Sequence, residues 1–182
     1  CALALVNTRF LNAGQSVDLI AGPSRAAGWL TGRGLLPPGT AVNDLDADRL
    51  AALRETIRSL FTARAERRAP AAGDVPALNV ALAAAPLVPT LNWGGTGPRR
   101  GEQLPAAAAE PVDVALARLA ADALDLLTGT GEATAAPCGA HGCIRWFLRT
   151  HAARQWCSAR CGDRVRAARH YARHHPAGAS EN

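Results

Sequence analysis

The sequence predicts a mainly α-helical fold: a helical N-terminal domain with one short β-hairpin, and a small C-terminal module in which a hairpin precedes a helix. Apolar residues recur at spacings of three and four over residues 46–68, as on the buried stripe of a long helix. Proline- and glycine-rich segments separate this stretch from further helical patterns. Four cysteines lie close together near the C-terminus, which is typical of a small unit held by a metal or by disulfides.

The opening segment, residues 1–11, is an apolar run that ends in the polar triplet Asn7, Thr8 and Arg9. At this length periodicity does not distinguish a buried helix from a short strand. Cys1 lies far in sequence from the other cysteines, and we expect it to be a small buried apolar residue.

Three helices are expected in the next part of the chain, at residues 24–30, 46–68 and 75–85. Ser24 and Asp74 are the predicted N-terminal caps of the first and third, because their side-chain oxygens can accept from free helical N–H groups. The apolar stripe of the second helix should face the core, and its arginines should form a solvated face.

A hairpin and a last helix complete the predicted N-terminal domain. Residues 87–93 alternate weakly in hydropathy before the glycine-rich loop 94–98, which indicates one arm of a short hairpin. The loop lacks the Gly-Lys-Ser/Thr of a phosphate-binding loop. We expect the last helix at residues 105–127, interrupted or restarted at Pro111, and a linker at residues 131–137.

The cysteine spacing predicts one structural Zn²⁺. Cys138 and Cys143 are separated by four residues, and Cys157 and Cys161 by three, so that two short knuckles can supply four thiolates to a tetrahedral shell. A module this short needs such a staple because it buries little apolar surface. Two disulfides are the alternative, and His141 is an alternative ligand. A shell of four cysteines leaves no open position for a substrate.

Positive charge is concentrated in the same region. Residues 138–175 hold eight arginines and a single acidic residue, Asp163, whereas residues 1–137 hold 12 arginines and 13 acidic residues. This asymmetry favours a polyanionic partner, and nucleic acid rather than a membrane surface. There is no uncharged apolar run of about 18 residues and no signal-peptide pattern, so we expect a soluble cytoplasmic protein.

Within the module we expect a strand at residues 144–149 that turns near residues 151–153 and pairs with residues 155–156, followed by a helix from Asp163. This outline is similar to a treble clef. The aromatic residues Trp146, Phe147 and Trp156 are expected to pack a miniature core.

The C-terminal helix is expected to carry a basic face at positions i, i+3, i+4 and i+7, suited to a phosphate backbone or a major groove. The predicted nucleic-acid contacts are Arg164, Arg166, Arg169, His170 and Arg173. Arg160 and Arg164 lie next to a cysteine, and neutralising the zinc thiolates is an equally good role for them.

A small-molecule effector pocket in the N-terminal domain is a further hypothesis, with Asn7, Arg9 and Asn79 as its polar groups. Helix capping explains the same residues equally well. A homodimer is also compatible with the sequence. We expect no enzyme, because no catalytic triad, His-Glu-x-x-His motif or dinucleotide fingerprint is present.

Residues 154–158 (RQWCS) and 161–164 (CGDR), with the Arg- and Ala-rich segment that follows, resemble the CGNR zinc finger. This finger is found at the C-terminus of a bacterial family whose N-terminal part is called the ABATE domain and whose members are described as stress-induced transcription regulators. Residues 5–8 (LVNT) resemble the opening of that domain, which favours a helix for the first segment. The departure is Asp163, where the family motif has Asn.

The resemblance implies that the zinc ligands are Cys138, Cys143, Cys157 and Cys161. It also implies an ABATE-like domain at residues 1–130, a finger at residues 138–175 and a tail at residues 176–182. The favoured function is therefore a DNA-binding transcription regulator. The alternative is a zinc-stabilised module that binds a protein or RNA without sequence-specific DNA binding.

Overall fold

The computed structural model describes residues 1–95, 97–103, 109–129 and 134–174, and in these residues helices alternate with short antiparallel hairpins. The mainly α-helical fold class, with a hairpin and helix at the C-terminus, is confirmed. In chain order the elements are α1 (Ala2–Val6), β1 (Arg9–Asn12), β2 (Gln15–Asp18), α2 (Pro23–Gly32), α3 (Asp44–Ala65), α4 (Asp74–Ala84), β3 (Val88–Gly94), β4 (Gly97–Gln103), α5 (Pro111–Thr128), β5 (Thr134–Pro137), β6 (Trp146–Arg149) and α6 (Ala159–His174).

The long helix α3 forms the centre of the molecule, and α1, α2, α4 and α5 pack around it. Its apolar stripe is buried, as the spacing predicts, because positions three and four apart fall on one side of a helix. The buried apolar side chains of α3 are Ala47, Leu50, Leu53, Ile57, Leu60, Phe61 and Ala63. One polar residue of α3, Arg54, is also buried.

Helix starts differ from the predicted caps. Asn43 begins α3, because its side chain accepts from the N–H of Asp46 while the Asp46 carboxylate accepts from the N–H of Asn43. Ser24 is not a cap, since α2 starts one residue earlier at Pro23. Asp74 is the first residue of α4 and accepts from the Ser59 hydroxyl at 2.6 Å.

The first 18 residues contain a hairpin that was not predicted from the sequence. Residues 1–11 divide into the expected helix α1 and the strand β1, which pairs with β2. The turn places both Ala13 and Gly14 in the left-handed region, at φ 48° and 82°. The expectation for Cys1 is wrong: Cys1 is exposed, and the Asp122 carboxylate accepts from the N–H of the next residue, Ala2, at 2.8 Å.

The second hairpin is confirmed. Strands β3 and β4 pair in register from Val88 opposite Gln103 to Gly94 opposite Gly97. The next helix, α5, begins at Pro111, with Glu110 as its N-terminal cap residue, and ends at Gly129 in the left-handed conformation. The start at Pro111 agrees with the expected restart of this helix, and residues 105–108 of the expected span lie outside the described residues.

The C-terminal hairpin forms from other segments than expected. Residues 134–137, predicted as linker, form β5 and pair with β6, whereas residues 155–156 are not in a strand. The first cysteine pair therefore lies in the connection between the two strands. Residues 131–133 lie outside the part of the chain that the structure describes, as do His175 and the tail at residues 176–182.

The aromatic residues of this hairpin do not form a separate core. Trp146 is 5% exposed and belongs to the main core, with its ring centroid 5.5 Å from that of Phe61 in α3. Phe147 is buried as well, while Trp156 is half-buried. The module thus shares its apolar packing with the helical domain.

Candidate metal centre

Two short backbone segments present the four cysteines. Cys138 and Cys143 lie in the connection between β5 and β6, where the N–H of Cys138 donates to the carbonyl of Arg145 at 2.9 Å. Gly142 has φ 68°, a conformation that favours glycine, and it lets the chain turn just before Cys143. Cys157 precedes α6 and Cys161 lies in its first turn.

The four sulfur atoms converge. Sγ atoms of Cys138, Cys143, Cys157 and Cys161 all lie within 4.8 Å of one another. The Cys143–Cys157 and Cys157–Cys161 separations are 3.8 and 3.6 Å. A tetrahedral zinc shell with Zn–S bonds of about 2.3 Å requires S···S edges of about 3.8 Å, whereas a disulfide bond is about 2.05 Å. The donor set and spacing fit zinc.

The alternatives raised by the spacing are not realised in the structure. No cysteine of the described residues forms a disulfide, so the two-disulfide arrangement is absent from them. His141 is exposed in the loop between the first two cysteines and is not part of the sulfur cluster. The module therefore holds one structural zinc ion, with cysteine side chains as the ligands.

Ionising all four cysteines at these short distances is unfavourable unless a cation lies among them. Burial raises the pKa of Cys157 to about 12, and hydrogen bonds with Cys161 and Cys138 add to the effect. Burial also raises the pKa of Cys143. Burial acts in the same direction on Cys161, but hydrogen bonds from Ser158 and the neighbouring cysteines outweigh it and lower its pKa. Zinc supplies the positive charge that holds all four as thiolates.

Groups around the sulfurs hold them in place. The N–H of Cys157 points to Cys138 Sγ at 3.4 Å, and the Ser158 hydroxyl accepts from the N–H of Cys161 at 3.3 Å. Arg164 Nη2 lies 4.0 Å from Cys161 Sγ. This contact supports the neutralising role for Arg164, because a guanidinium next to a thiolate offsets its negative charge.

Gly162, in the CGDR segment, packs closely against Trp156. It is buried, and a Cβ on it would lie 3.1 Å from the Trp156 ring. The absence of a side chain therefore lets the first turn of α6 lie directly on this tryptophan.

From Arg166 onward, α6 lies in solvent. Every side chain from Arg166 to His174 is exposed. The predicted basic face is present on it: Arg166, Arg169, His170 and Arg173 follow one another along two turns of helix. Arg166 is engaged within the helix, because Nη2 pairs with Asp163 Oδ1 at 2.5 Å and its guanidinium lies 5.8 Å from the centre of the Trp156 ring.

Two side chains of the helical domain, Asn7 and Arg58, bind the backbone of the zinc module. Neither contact was predicted from the sequence. Asn7 binds the backbone of Trp146 twice: Nδ2 donates to its carbonyl and Oδ1 accepts from its N–H, each at 2.8 Å. Arg58 of α3 donates to the carbonyl of Ile144 at 2.8 Å, and also to the carbonyls of Val6 and Arg9. No local pattern signals contacts between residues so far apart in sequence.

The structure does not bring the predicted effector-pocket residues together. Arg9 lies in β1 at the surface and pairs with Glu55 at 3.6 Å. Asn79 is exposed on α4. Of these three residues, only Asn7 lines the cleft of about 740 Å³ that lies between the β1–β2 turn and the zinc site.

A helical domain joined to a hairpin and helix that hold one zinc ion through four cysteines defines a zinc-finger protein. Comparison with family models matches residues 1–130 to the ABATE family, described as "Putative stress-induced transcription regulator", and residues 135–174 to the CGNR zinc finger. The chain belongs to the ABATE family and carries a CGNR zinc finger. No curated protein matches the chain. Among the described residues, no helix has the length and apolar character needed to span a membrane.

Proposed function

We propose that the protein is a DNA-binding transcription regulator that contacts DNA through the basic face of α6. The observation that carries the proposal is the combination of exposure and charge on this helix. Its side chains from Arg166 onward are in solvent, and it bears five arginines against one acidic residue, Asp163. The exposed arginines contribute little to packing, so packing does not explain why they are concentrated on this helix. Binding to a polyanionic partner would explain it.

The dimensions of the helix fit a DNA groove. An α-helix with its side chains is about 10–12 Å across, and the B-DNA major groove is about 12 Å wide. The basic face of α6 runs over two turns, about 11 Å, along the helix axis. Arginine can bridge phosphates or make bidentate contacts to guanine. The zinc site fixes the start of α6, because Cys161 lies in its first turn, so the free part of the helix projects from a rigid base.

The zinc itself has no catalytic part in this proposal. Four protein thiolates complete a tetrahedral shell, and no position remains for a substrate or an activated water. We accordingly propose a regulator rather than an enzyme, located in the bacterial cytoplasm. The family description suggests that its role is linked to stress.

The experiment compares two triple variants in duplex DNA binding by fluorescence anisotropy across a range of salt concentrations. The first variant carries Arg166→Ala, Arg169→Ala and Arg173→Ala. The matched control removes the same charge from exposed arginines of the helical domain, at Arg25, Arg33 and Arg67.

We expect the wild type to bind with a strong salt dependence, and the α6 variant to lose affinity and about 2 to 3 units of the log–log salt slope, since each phosphate contact contributes about 0.9. The control variant should behave as the wild type. DNA binding that is absent, insensitive to salt or equally reduced in both variants would contradict the proposal. Retained zinc with binding to RNA or an acidic protein, but not to DNA, would support the alternative function.

A further inference from the structure

A cavity of about 380 Å³ lies where the zinc module meets the helical domain. The helical domain contributes residues of α1, β1 and α2 to its lining, and the zinc module contributes Arg145, which directly precedes β6. Small-molecule sites have volumes of about 300 to 1,000 Å³, so this cavity has room for a small ligand. It is distinct from the zinc site, because none of the cysteines lines it.

Two arginines line this cavity without a partner. The guanidinium groups of Arg33 and Arg145 make no hydrogen bond or ion pair with any residue that the structure describes. The other hydrogen-bonding side chains of α1 and β1 at the cavity are already bound: Asn7 to the backbone of Trp146, and the Thr8 hydroxyl within the helical domain. No acidic residue is among the described residues that line the cavity. The cavity therefore carries positive charge that nothing in the described chain neutralises.

Both guanidinium groups are held over aromatic rings. The Cζ atom of Arg33 lies 5.5 Å from the centre of the Trp29 ring, four residues earlier at the end of α2. The Cζ atom of Arg145 lies 4.2 Å from the centre of the Phe10 ring in β1. A guanidinium that stacks through its face keeps the N–H donors along its edge for another group. Stacking also restricts the side chain, so less conformational entropy is lost when a ligand binds.

The rest of the lining is largely apolar and only partly covered. Leu3 and Trp29 are half-buried, and Leu19 is 47% exposed. A guanidinium binds a carboxylate through two parallel N–H···O bonds, and an apolar wall favours an apolar ligand body. An inorganic anion would leave the apolar wall uncovered, and a neutral ligand would leave the cations unpaired. We propose that this cavity binds a small organic carboxylate, whose charge pairs with Arg33 and Arg145 and whose apolar body contacts Trp29.

The position of Arg145 connects this site to the metal centre. Arg145 follows Cys143 by two residues, and its carbonyl accepts from the N–H of Cys138 at 2.9 Å. A carboxylate bound between Arg145 and Trp29 therefore joins the zinc module to α2. Because a ligand stabilises the folded state to which it binds, the melting temperature of the zinc-loaded protein should rise with the concentration of the carboxylate.

The test is isothermal titration calorimetry of the zinc-loaded protein at neutral pH. The ligands are benzoate and hexanoate as carboxylates with apolar bodies, benzamide as the neutral analogue of benzoate, and inorganic phosphate as an anion without an apolar body. The carboxylates should bind to one saturable site. Benzamide and phosphate should bind about tenfold more weakly or not at all, since each lacks one of the two interactions.

The variants Arg33→Met and Arg145→Met remove the charge and keep an unbranched apolar side chain that can pack on the aromatic ring. Each should weaken carboxylate binding about tenfold or more, with the zinc content unchanged. The matched controls are Arg25→Met, exposed on α2, and Arg149→Met, exposed at the end of β6. Neither of these arginines lines the cavity, so both controls should bind as the wild type does.

The proposal is overturned if neither carboxylate binds, or if benzamide or phosphate binds as tightly as benzoate. Full carboxylate affinity in the double variant Arg33→Met, Arg145→Met would also overturn it, as would an equal loss in the controls. None of these measurements uses DNA, so their outcome is separate from that of the proposed function.

Discussion

The side-chain amide of Asn7 fills both hydrogen-bonding positions of the Trp146 backbone. It acts as an extra strand residue alongside β6 and ties the end of α1 to the zinc module. Replacing Asn7 with Ala leaves a partly buried N–H and a partly buried carbonyl without partners. We expect Asn7→Ala to lower the free energy of unfolding of the zinc-loaded protein by about 2 to 3 kcal/mol.

Urea unfolding measures this loss, with Asn12→Ala as the control, because Asn12 is exposed at the end of β1. An equal effect of the two variants would contradict the role assigned to Asn7. Asn7→Asp is a useful intermediate, since it retains the acceptor for the Trp146 N–H and loses the donor to the carbonyl.

Asp163 occupies the position where the family motif has Asn, and it is the acidic residue of α6. It holds Arg166 in an exposed ion pair at 2.5 Å. Asp163→Asn should free this guanidinium and remove a negative charge next to the basic face. A surface ion pair is worth up to about 1 kcal/mol, so we expect on the order of a fivefold tighter binding of duplex DNA. Fluorescence anisotropy titration with duplex DNA measures this change, with Asp48→Asn, on the exposed side of α3, as the control variant. Weaker DNA binding by Asp163→Asn would contradict the assignment of α6 as the contact surface.

At the scale of elements, an ion pair joins β2 to the central helix. Arg54 is buried in α3 and donates to Asp18 at 2.7 Å and to the Thr8 hydroxyl at 3.1 Å. Burial alone would raise the pKa of Asp18, but the hydrogen bonds from Arg54 and the N–H of Ile20, with the nearby positive charge, lower it below its ordinary value of 3.8. The folded state therefore favours the ionised carboxylate.

The pH dependence follows from this direction. The stabilisation by Asp18 is complete above the unfolded-state pKa, and it is lost as the pH falls through the lower folded-state pKa. We expect Asp18→Asn to cost about 2 kcal/mol at neutral pH. Urea unfolding from neutral to strongly acidic pH should show the difference from wild type shrinking below about pH 4. A difference that stays constant over this range, or one that Asp48→Asn reproduces, would contradict the assignment.

The elements that the sequence predicts well are those specified by local pattern. The stripes of α3 and α5 repeat over several turns, and the cysteine spacing announces the metal site. The hairpin β1–β2 was missed because Ala13 occupies a left-handed turn position where Gly or Asn is the usual signal. Strand β5 was missed because Thr134–Pro137 has the composition of a linker and becomes a strand only by pairing with β6.

At the scale of the whole molecule, the zinc module and the helical domain are one packed unit. Trp146 contributes its ring to the core beside Phe61, and Arg58 reaches from α3 to the carbonyl of Ile144, one residue after the ligand Cys143. These contacts cannot be predicted from local sequence patterns, because they join residues that only the tertiary fold brings together. They also mean that a change at the zinc site is transmitted to the helical core.

Removal of zinc tests how far that coupling extends. Helix α6 has 16 residues, near the length at which isolated helices are marginal in water, and its exposed side chains give it little packing. Structural zinc contributes about 10 kcal/mol in small peptides, so a chelator should unfold α6 while Trp146 and the contacts of Asn7 and Arg58 retain β6 on the helical domain. Far-UV circular dichroism should lose the signal of α6, DNA affinity should fall to background, and the remaining helices should melt at a lower temperature. Re-addition of zinc should restore all three, and a chelated protein with unchanged helicity would contradict the account of α6 as a helix held by its metal.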